Sequence, residues 1–517
     1  MYAFPMARSV REIERKYTAP ASDDSSWLAD LTAVGPVASV AERGVVELDA
    51  VYYDTDDLRL TRGGAALRRR TGGEDAGWHL KLPVADDTRE EIQTSSTAEE
   101  VPEELRDLAL SRTRGAALRP VVRVRSSRSV HHLLDARGDV LAELSRDAVS
   151  ADGLLDEGGH AAWRELEVEL AGSGDTALLN GIEKVLIRSG VDRAKSPSKV
   201  VRALAETESG PQPASGRAPG VAPGSAGDHV LAYVGRLVSD LTDLDPAVRR
   251  DLPDAVHRMR TTARRLRGCL RSYRSVLDAE ACAPVRRDLK WLANELGVER
   301  DHEVLGERLR SGLRELPGEL VLGPVDARLE AWDVAKRADA RRRTLDALAS
   351  PRYLGLLNGL RSLTDEPPLR AKASGRPEKV MVKVLRKEFR RLAGRMDPAL
   401  DMASGPERDA AIHDARKAAK RLRYAAETAS PVLGKPARRL GGRVKAVQQV
   451  SGDQHDSVVT RDALRRLAVS AQGAGEPGFT WGLLHGQERA SAGARERQLP
   501  EAWARARAAG RSKPFRR

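Results

Sequence analysis

Polar and apolar residues alternate with a period of two through the first 206 residues. Runs such as VREIERKY, ELDAVYYDT, AALRRR, GWHLKLP, VVRVRSSRSVHHLL, VLAELSRDAVSA and WRELEVEL are separated by Gly and Asp, the pattern of antiparallel strands. Two helical stretches intervene, AEEVPEELRDLAL and ALLNGIEKVLIRSG. Beyond residue 228 the period becomes helical and Leu, Ala and Arg dominate. The seam, TESGPQPASGRAPGVAPGSAGD (207–228), is rich in Pro, Gly, Ala and Ser and reads as a flexible linker. A second break, PPLRAKASGRPEK (367–379), divides the helical part, and residues 501–517, ending RARAAGRSKPFRR, read as a disordered basic tail. The pattern therefore predicts an α+β multidomain chain: a strand-rich domain over 1–206, a linker over 207–228 and a helical domain over 229–500.

Charge sharpens this division. The 517 residues hold 87 Lys+Arg against 75 Asp+Glu, a net of +12. Residues 1–210 carry 28 basic and 37 acidic side chains, a net of −9, whereas the remainder nets +21. Two cysteines, Cys269 and Cys282, cannot build a disulfide framework or a Cys-based zinc site, so a reducing cytoplasm is the expected location. No window approaches the roughly 18 apolar residues of a membrane helix, and the first residues lack a long apolar stretch, so neither a membrane span nor secretion is expected. Aromatics make up 4% of the chain, too few for a single-strand nucleic-acid surface built on stacking, and no duplex-recognition motif is present.

Strand parity places Glu12, Glu14 and Lys16 on one face, and Glu165, Glu167 and Glu169 on one face of WRELEVEL. Arg68 with Arg70, and Arg123 with Arg125, form basic rows; Lys81 lies in WHLKLP, Arg89 and Glu91 share a face, and Glu143 stands in VLAELS. From alternation alone these rows are equally a solvated sheet face with weak cross-strand ion pairs. If the sheet closes on itself instead, converging carboxylates need a divalent cation, and the surplus cations need a polyanion. Carboxylate oxygens suit Mg²⁺ or Mn²⁺.

The ordered motifs E-I-E-R-K, YYDTDDLRLTRGGAALRRR, WHLKLP, R-E-E, RPVVRVRSSR, E-L-E-V-E and KSPSK (195–199) resemble the CYTH domains, the triphosphate tunnel metalloenzymes. The resemblance covers residues 8–206. It implies an eight-stranded antiparallel tunnel that hydrolyses or rearranges triphosphates with Mg²⁺ or Mn²⁺. By position it implies Glu12, Glu14, Glu165, Glu167 and Glu169 as the metal set. It likewise implies Lys16, Arg68, Arg70, Lys81, Arg123, Arg125 and Lys199 as the phosphate clamp, with Lys16 beside the attacking or leaving oxygen. The Leu144-Ser145-Arg146-Asp147 run after Glu143 departs from relatives that carry acidic residues there, which makes a second metal position less secure.

The helical part repeats. AVHRMRTTARRLRGCLRSY (255–273) and AIHDARKAAKRLRYAAETA (411–429) match His257, Arg260, Arg264 and Arg267 with His413, Arg416, Lys420 and Arg423. At about 100° per residue each set falls within a sector of roughly 80°, one stripe of a helix. LGVERDHEV (296–304) parallels SGDQHDSV (451–458), so an internal duplication is the economical reading. A basic stripe is commonly a solvated face, and one histidine per copy does not make a zinc site. Two matched stripes of mutually repelling cations nonetheless point to an anionic ligand.

The H-x-x-R-x-x-x-[RK]-R-L-R repeat resembles the CHAD domain over about 228–500. The resemblance implies two pseudo-symmetric four-helix bundles that bind inorganic polyphosphate in a basic groove or pore. His257, Arg260, Arg264, Arg267, His413, Arg416, Lys417, Lys420, Arg421 and Arg423 are the candidate contacts, with Arg271 and Arg274 extending the first stripe. The reading that follows is a metal-dependent hydrolase of inorganic triphosphate joined to a polyphosphate-binding domain, with association with polyphosphate granules as a corollary. Adenylate cyclase or thiamine-triphosphatase activity on the same tunnel, and a non-catalytic polyphosphate receptor, are the alternatives.

Overall fold

Residue-by-residue alternation closes the first part of the chain into a barrel. The computed structural model describes residues 8–19, 27–85, 87–96, 98–155, 158–172, 174–208, 220–403 and 405–515. It separates into two units, Met1–Gly216 and Arg217–Arg517. In the first, β1 (Arg8–Thr18), β2 (Ser39–Asp54), β3 (Ala66–Thr71), β4 (Gly77–Ala85), β5 (Thr88–Thr94), β6 (Arg119–Leu134), β7 (Val140–Gly153) and β8 (His160–Leu170) pair antiparallel. The order is β5-β4-β3-β2-β6-β7-β8-β1, and a β1–β5 pairing shuts the ring. A two-residue strand, β9 (Asp192–Arg193), adds to β1 at Tyr17 and Thr18.

Over most of the barrel the apolar residues of these strands face outward, where helices cover them. α1 (Glu103–Thr113) packs Leu105, Leu108 and Ala109 on Leu67, Trp78 and Leu80. α2 (Thr176–Arg188) packs Leu179, Ile182 and Leu186 on Tyr17, Leu144, Leu166 and Val168. Asp175 caps α2 by accepting from Ala177 N at 2.8 Å. The turn after β2 is built on buried Asp54, whose carboxylate accepts from the amides of Thr55, Leu60 and Thr61 at 2.7–2.9 Å. α3 (Lys199–Glu206) follows Pro197 and is capped by Ser198; its Val200, Ala203 and Leu204 join Ala50, Tyr52, Val122, Val124, Val149 and Ala151 as an apolar plug at one end of the barrel.

The second unit is all helix. Its first copy runs α4 (Ala226–Arg249), α5 (Ala255–Ser272), α6 (Ala283–Arg314) and α7 (Val325–Ala349), then the shorter α8 (Pro351–Asp365). The second runs α9 (Pro377–Asp401), α10 (Pro406–Leu433), α11 (Lys435–Gly473) and α12 (Phe479–Glu496), then the shorter α13 (Leu499–Gly510). One apolar core spans both copies, and a smaller one joins the far ends of α6, α7, α11 and α12. No helix among the described residues is long and apolar enough to cross a membrane.

Two expectations are corrected. The 501–517 tail is folded over its described part: Trp503, Ala506, Ala509 and Phe515 are buried in the main core, and Trp503 Nε1 donates to Asp397 Oδ1 at 2.7 Å. Its arginines occupy the solvent side of an amphipathic helix, which the overall basic composition concealed. Within the expected linker, Ala226–Asp228 already belong to α4, while 209–219 lie outside the described residues.

Candidate functional site

The barrel interior beyond the plug is polar and encloses a cavity of about 940 Å³. Register sets three parallel rows across it. Glu14, Glu169 and Glu143 stand abreast on β1, β8 and β7; Lys16, Glu167 and Ser145 form the next row; Thr18, Glu165 and Asp147 the third. The opposite wall carries Arg68 and Arg70 on β3, His79 and Lys81 on β4 and Glu91 on β5.

At the floor, Lys199 enters from α3. Its Nζ lies 2.7 Å from Asp147, 2.7 Å from Glu165 and 2.6 Å from Glu167. Arg128 adds contacts to Asp147 and Glu167 at 2.8 and 2.7 Å, and Lys16 pairs with Glu167 and, at 3.2 Å, with Glu14. Burial opposes ionisation of Asp147 and Glu167, yet these cations hold both carboxyls below the usual range. The floor is internally neutralised.

Further along β1 the balance reverses. Lys81 bonds Glu12 at 2.6 Å and lies 3.7 Å from Glu91, which also holds His79 at 2.8 Å and Arg68 at 3.3 Å. Those partners keep Glu91 strongly acidic despite its burial. Glu12 is pushed up to about 8, by burial first and then by the neighbouring Glu91 and Glu169, with Lys81 opposing. Glu169 is pushed up to about 7 by burial, with Glu14, Glu167 and Glu143 adding repulsion. Burial and neighbouring carboxylates thus shift both carboxyls toward the protonated form, Glu12 in spite of its bond to Lys81.

Glu12, Glu14, Glu165, Glu167, Glu169, Lys16, Arg68, Arg70, Lys81 and Lys199 all turn into the barrel. Arg123 and Arg125 do not. They are 43% and 47% exposed and bond Asp49 and Asp152 outside it, at 2.9 and 2.6 Å. Their inward neighbours are Val122 and Val124, because the inside of that stretch belongs to the apolar plug. Arg128, three residues past Arg125 and of opposite parity, is the β6 cation that reaches the cavity. Sequence reasoning missed Arg128, Asp147 and His79: continuing the parity of Glu143 along β7 and of Lys81 along β4 finds Asp147 and His79, but Arg128 lies on the opposite parity to the Arg123–Arg125 row.

In the helical unit α5 and α10 bring Arg260, Arg264, Arg416 and Lys420 together, two cations from each copy. Arg260 bonds Asp301 at 2.8 Å, and Lys420 feels Asp456, the matching residue of the second copy. Gly297 and Gly452, each one turn before its aspartate, admit the guanidinium: a Cβ would stand 3.1 Å from Arg260 Nη2 and 3.0 Å from Arg416 Nη2. Lys420 is pushed down to about 7 by burial and by Arg264, Arg416 and Arg260. Burial also lowers Arg264 and Arg267, and His257 beside Arg300 and Arg260. Arg423 lies over the Tyr424 ring at 4.8 Å, and His413 remains on α10 beside Asp414. Lys417 and Arg421 fall off the stripe: Lys417 pairs with Asp414 at 2.9 Å, and Arg421 is drawn to Glu388 at 2.7 Å.

The CYTH domain model matches residues 10–204 and the CHAD domain model residues 232–465. The chain belongs to the CYTH/CHAD family. It is 38% identical over 493 residues to uncharacterised proteins from two strains of Mycobacterium tuberculosis, covering 92% of each partner. The CHAD domain of the plant Ricinus communis is 25% identical, aligned over 58% of this chain and 96% of that one, with a TM-score of 0.44. PptA from Streptomyces chartreusis is 22% identical over 54% of this chain and 99% of that one, with a TM-score of 0.45.

CYTH tunnel enzymes use divalent metals and act as triphosphatases or cyclases; CHAD domains are linked to polyphosphate. The donors in this CYTH barrel fit such an ion. Oxygens of Asp147, Glu165 and Glu167 lie within 4.8 Å of one another, although Lys199 already bridges them. Glu12, Glu14 and Glu169 also line the cavity; against the cost of burial Glu14 is held acidic by Lys16 and Lys81, whereas burial and like charges raise Glu12 and Glu169, a strain that a hard divalent ion would relieve.

Proposed function

We propose that the CYTH barrel hydrolyses inorganic triphosphate and that the CHAD domain binds inorganic polyphosphate. The observation that carries the first reading is the cavity's division of charge: Arg68, Arg70 and Lys81 on one wall face the carboxylate row of Glu14, Glu169 and Glu143 on the other. Glu12, Glu14 and Glu169 would hold Mg²⁺ or Mn²⁺. A bound ion of this kind supplies neutralisation of phosphoryl oxygens. Arg68, Arg70, Lys81 and Arg128 clamp the phosphate chain, with Arg offering two-point contacts to oxygen. Lys16, fixed between Glu14 and Glu167, donates to the bridging or terminal oxygen as negative charge develops there. A cavity carboxylate takes the proton of the attacking water.

The second reading is supported by the four cations that α5 and α10 force together; a polyanion relieves their repulsion. Tethering the two domains raises the local concentration of phosphate substrate near the barrel. The test is orthophosphate release from tripolyphosphate with Mg²⁺ or Mn²⁺ by the full chain. Glu14→Ala is expected to reduce the rate by about a hundredfold or more. Equal rates for the two proteins, or cyclic AMP from ATP as the preferred product, overturn the reading.

A further inference from the structure

β1 changes partners at Glu14. Its first half pairs with β5 as far as Ile13 opposite Thr88, and its end pairs with β9 from Tyr17 onward. Between them the strand edge is bridged by Glu14 N to Asp87 O at 3.0 Å and Ala194 N to Lys16 O at 2.9 Å. A second cavity of about 210 Å³ opens at this edge. Glu14, Lys16 and Arg89 line both this cavity and the main one, so the two meet at the same side chains. Its outer lining includes Arg193, Lys195 and Ser196.

The cations here are not all spent on protein partners. Arg15 is tied to Asp87 at 2.9 Å and Glu183 at 2.7 Å, and Arg193 to the same two acids. Arg89 donates only to backbone, Ala85 O at 3.3 Å and Thr88 O at 3.4 Å, and has no carboxylate partner among the described residues. Exposed Lys195 has no ion-pair partner among the described residues. At a water's share of about 30 Å³ the opening of about 210 Å³ holds about seven waters, room for one hydrated orthophosphate.

We propose that this side opening is an orthophosphate subsite through which the cleaved phosphate leaves, with Arg89 and Lys195 as its anion contacts. The inference rests on the hydrolytic reading above. Hydrolysis breaks one P–O–P bond, forms one P–O bond from water and passes the water's proton to a carboxylate, giving orthophosphate and diphosphate. An orthophosphate formed beside Glu14 and Lys16 reaches the opening without passing the diphosphate that remains in the main cavity.

The full chain is titrated by calorimetry in EDTA with orthophosphate and, separately, with tripolyphosphate. Wild type is compared with Lys195→Glu and with Ser196→Trp, which fills the opening without removing a cation. The CHAD sites contribute equally to all three proteins, so differences report the opening. Both variants are expected to lose about fivefold or more in orthophosphate affinity, against less than about twofold for tripolyphosphate. Equal weakening of both ligands, or no weakening of orthophosphate in either variant, overturns the proposal. Neither titration needs turnover, so failure of the hydrolytic reading shows separately, as absent phosphate release by wild type with Mg²⁺.

Discussion

Gly268 and Tyr424 occupy the same position in the two copies of the basic repeat and pack against each other: a Cβ at Gly268 would stand 2.9 Å from Tyr424 Cδ2. Tyr273 Oη, donating to Ala425 O at 2.8 Å, fastens the same contact. Gly268→Ala gains helix propensity of about 1 kcal/mol but overpacks the junction at a cost of about 1–3 kcal/mol. A net loss of stability is expected in denaturant unfolding. Combined with Tyr424→Ala, the loss should be non-additive, since the second change removes the obstructing ring.

Lys199→Met leaves Asp147, Glu165 and Glu167 buried without the ammonium they share. The expected destabilisation is about 3–5 kcal/mol at pH 7. Protonation of the three carboxyls relieves their repulsion, so the deficit should shrink at pH 4–5. Unfolding curves at the two pH values check this; an unchanged deficit would assign the loss to packing alone.

Glu12 and Glu169 carry raised pKa values, about 8 and about 7. For an acid raised in the fold, the folded state binds the extra proton, so its stabilisation is complete below the unfolded value of 4.5 and lost as pH climbs through 7 and 8. The metal-free chain should therefore lose stability across that window. Adding Mn²⁺ should release protons on binding and flatten or reverse the trend, readable in melting temperature against pH with and without EDTA.

Lys420, held down to about 7, is largely neutral above that pH in the free protein. The unfolded chain binds more protons than the fold between about 7 and 10.5, so this residue makes stability rise with pH there. A polyanion placed among Arg260, Arg264, Arg416 and Lys420 restores the charge. Polyphosphate binding near pH 8 should take up a proton, measurable by calorimetry in buffers of different ionisation enthalpy. Lys420→Met should abolish the uptake, and affinity should fall steeply with salt.

The two faces of β6 offer a sharper comparison. Arg128→Ala removes a cation that touches Asp147 and Glu167 inside the barrel, and triphosphate turnover should fall by about a hundredfold. Arg123→Ala removes an exposed partner of Asp49 on the outside and should leave turnover within about twofold. Steady-state rates on tripolyphosphate decide between the faces.

Period-two alternation made the strands legible, and parity alone set Glu12, Glu14 and Lys16 on one face of β1, and Glu165, Glu167 and Glu169 on one face of β8. It could not say where the barrel interior turns from polar to apolar. That change depends on α3 plugging one end, a tertiary fact with no local signature, and it is why Arg123 and Arg125 pointed the wrong way. The helical stripe of His257, Arg260, Arg264 and Arg267 was legible from spacing. Arg421 lies off the matching stripe by spacing, and its partner, Glu388 on another helix, is a tertiary contact that spacing does not show. The folded end at 499–510 was hidden because a basic amphipathic helix and a solvated tail share a composition.

The cation that touches all three acids of the barrel floor arrives from α3, the last helix of its unit and far along the sequence from β1. While that helix is undocked, three acids on the adjacent strands β7 and β8 share, among the described residues, only Arg128 and Lys16 as cations. Closure of the barrel end is thereby coupled to charge: the floor is balanced in full only once residue 199 is seated. A barrel shortened before that point would keep an uncompensated acid at its base, so added divalent ions should stabilise the shortened form more than the full one.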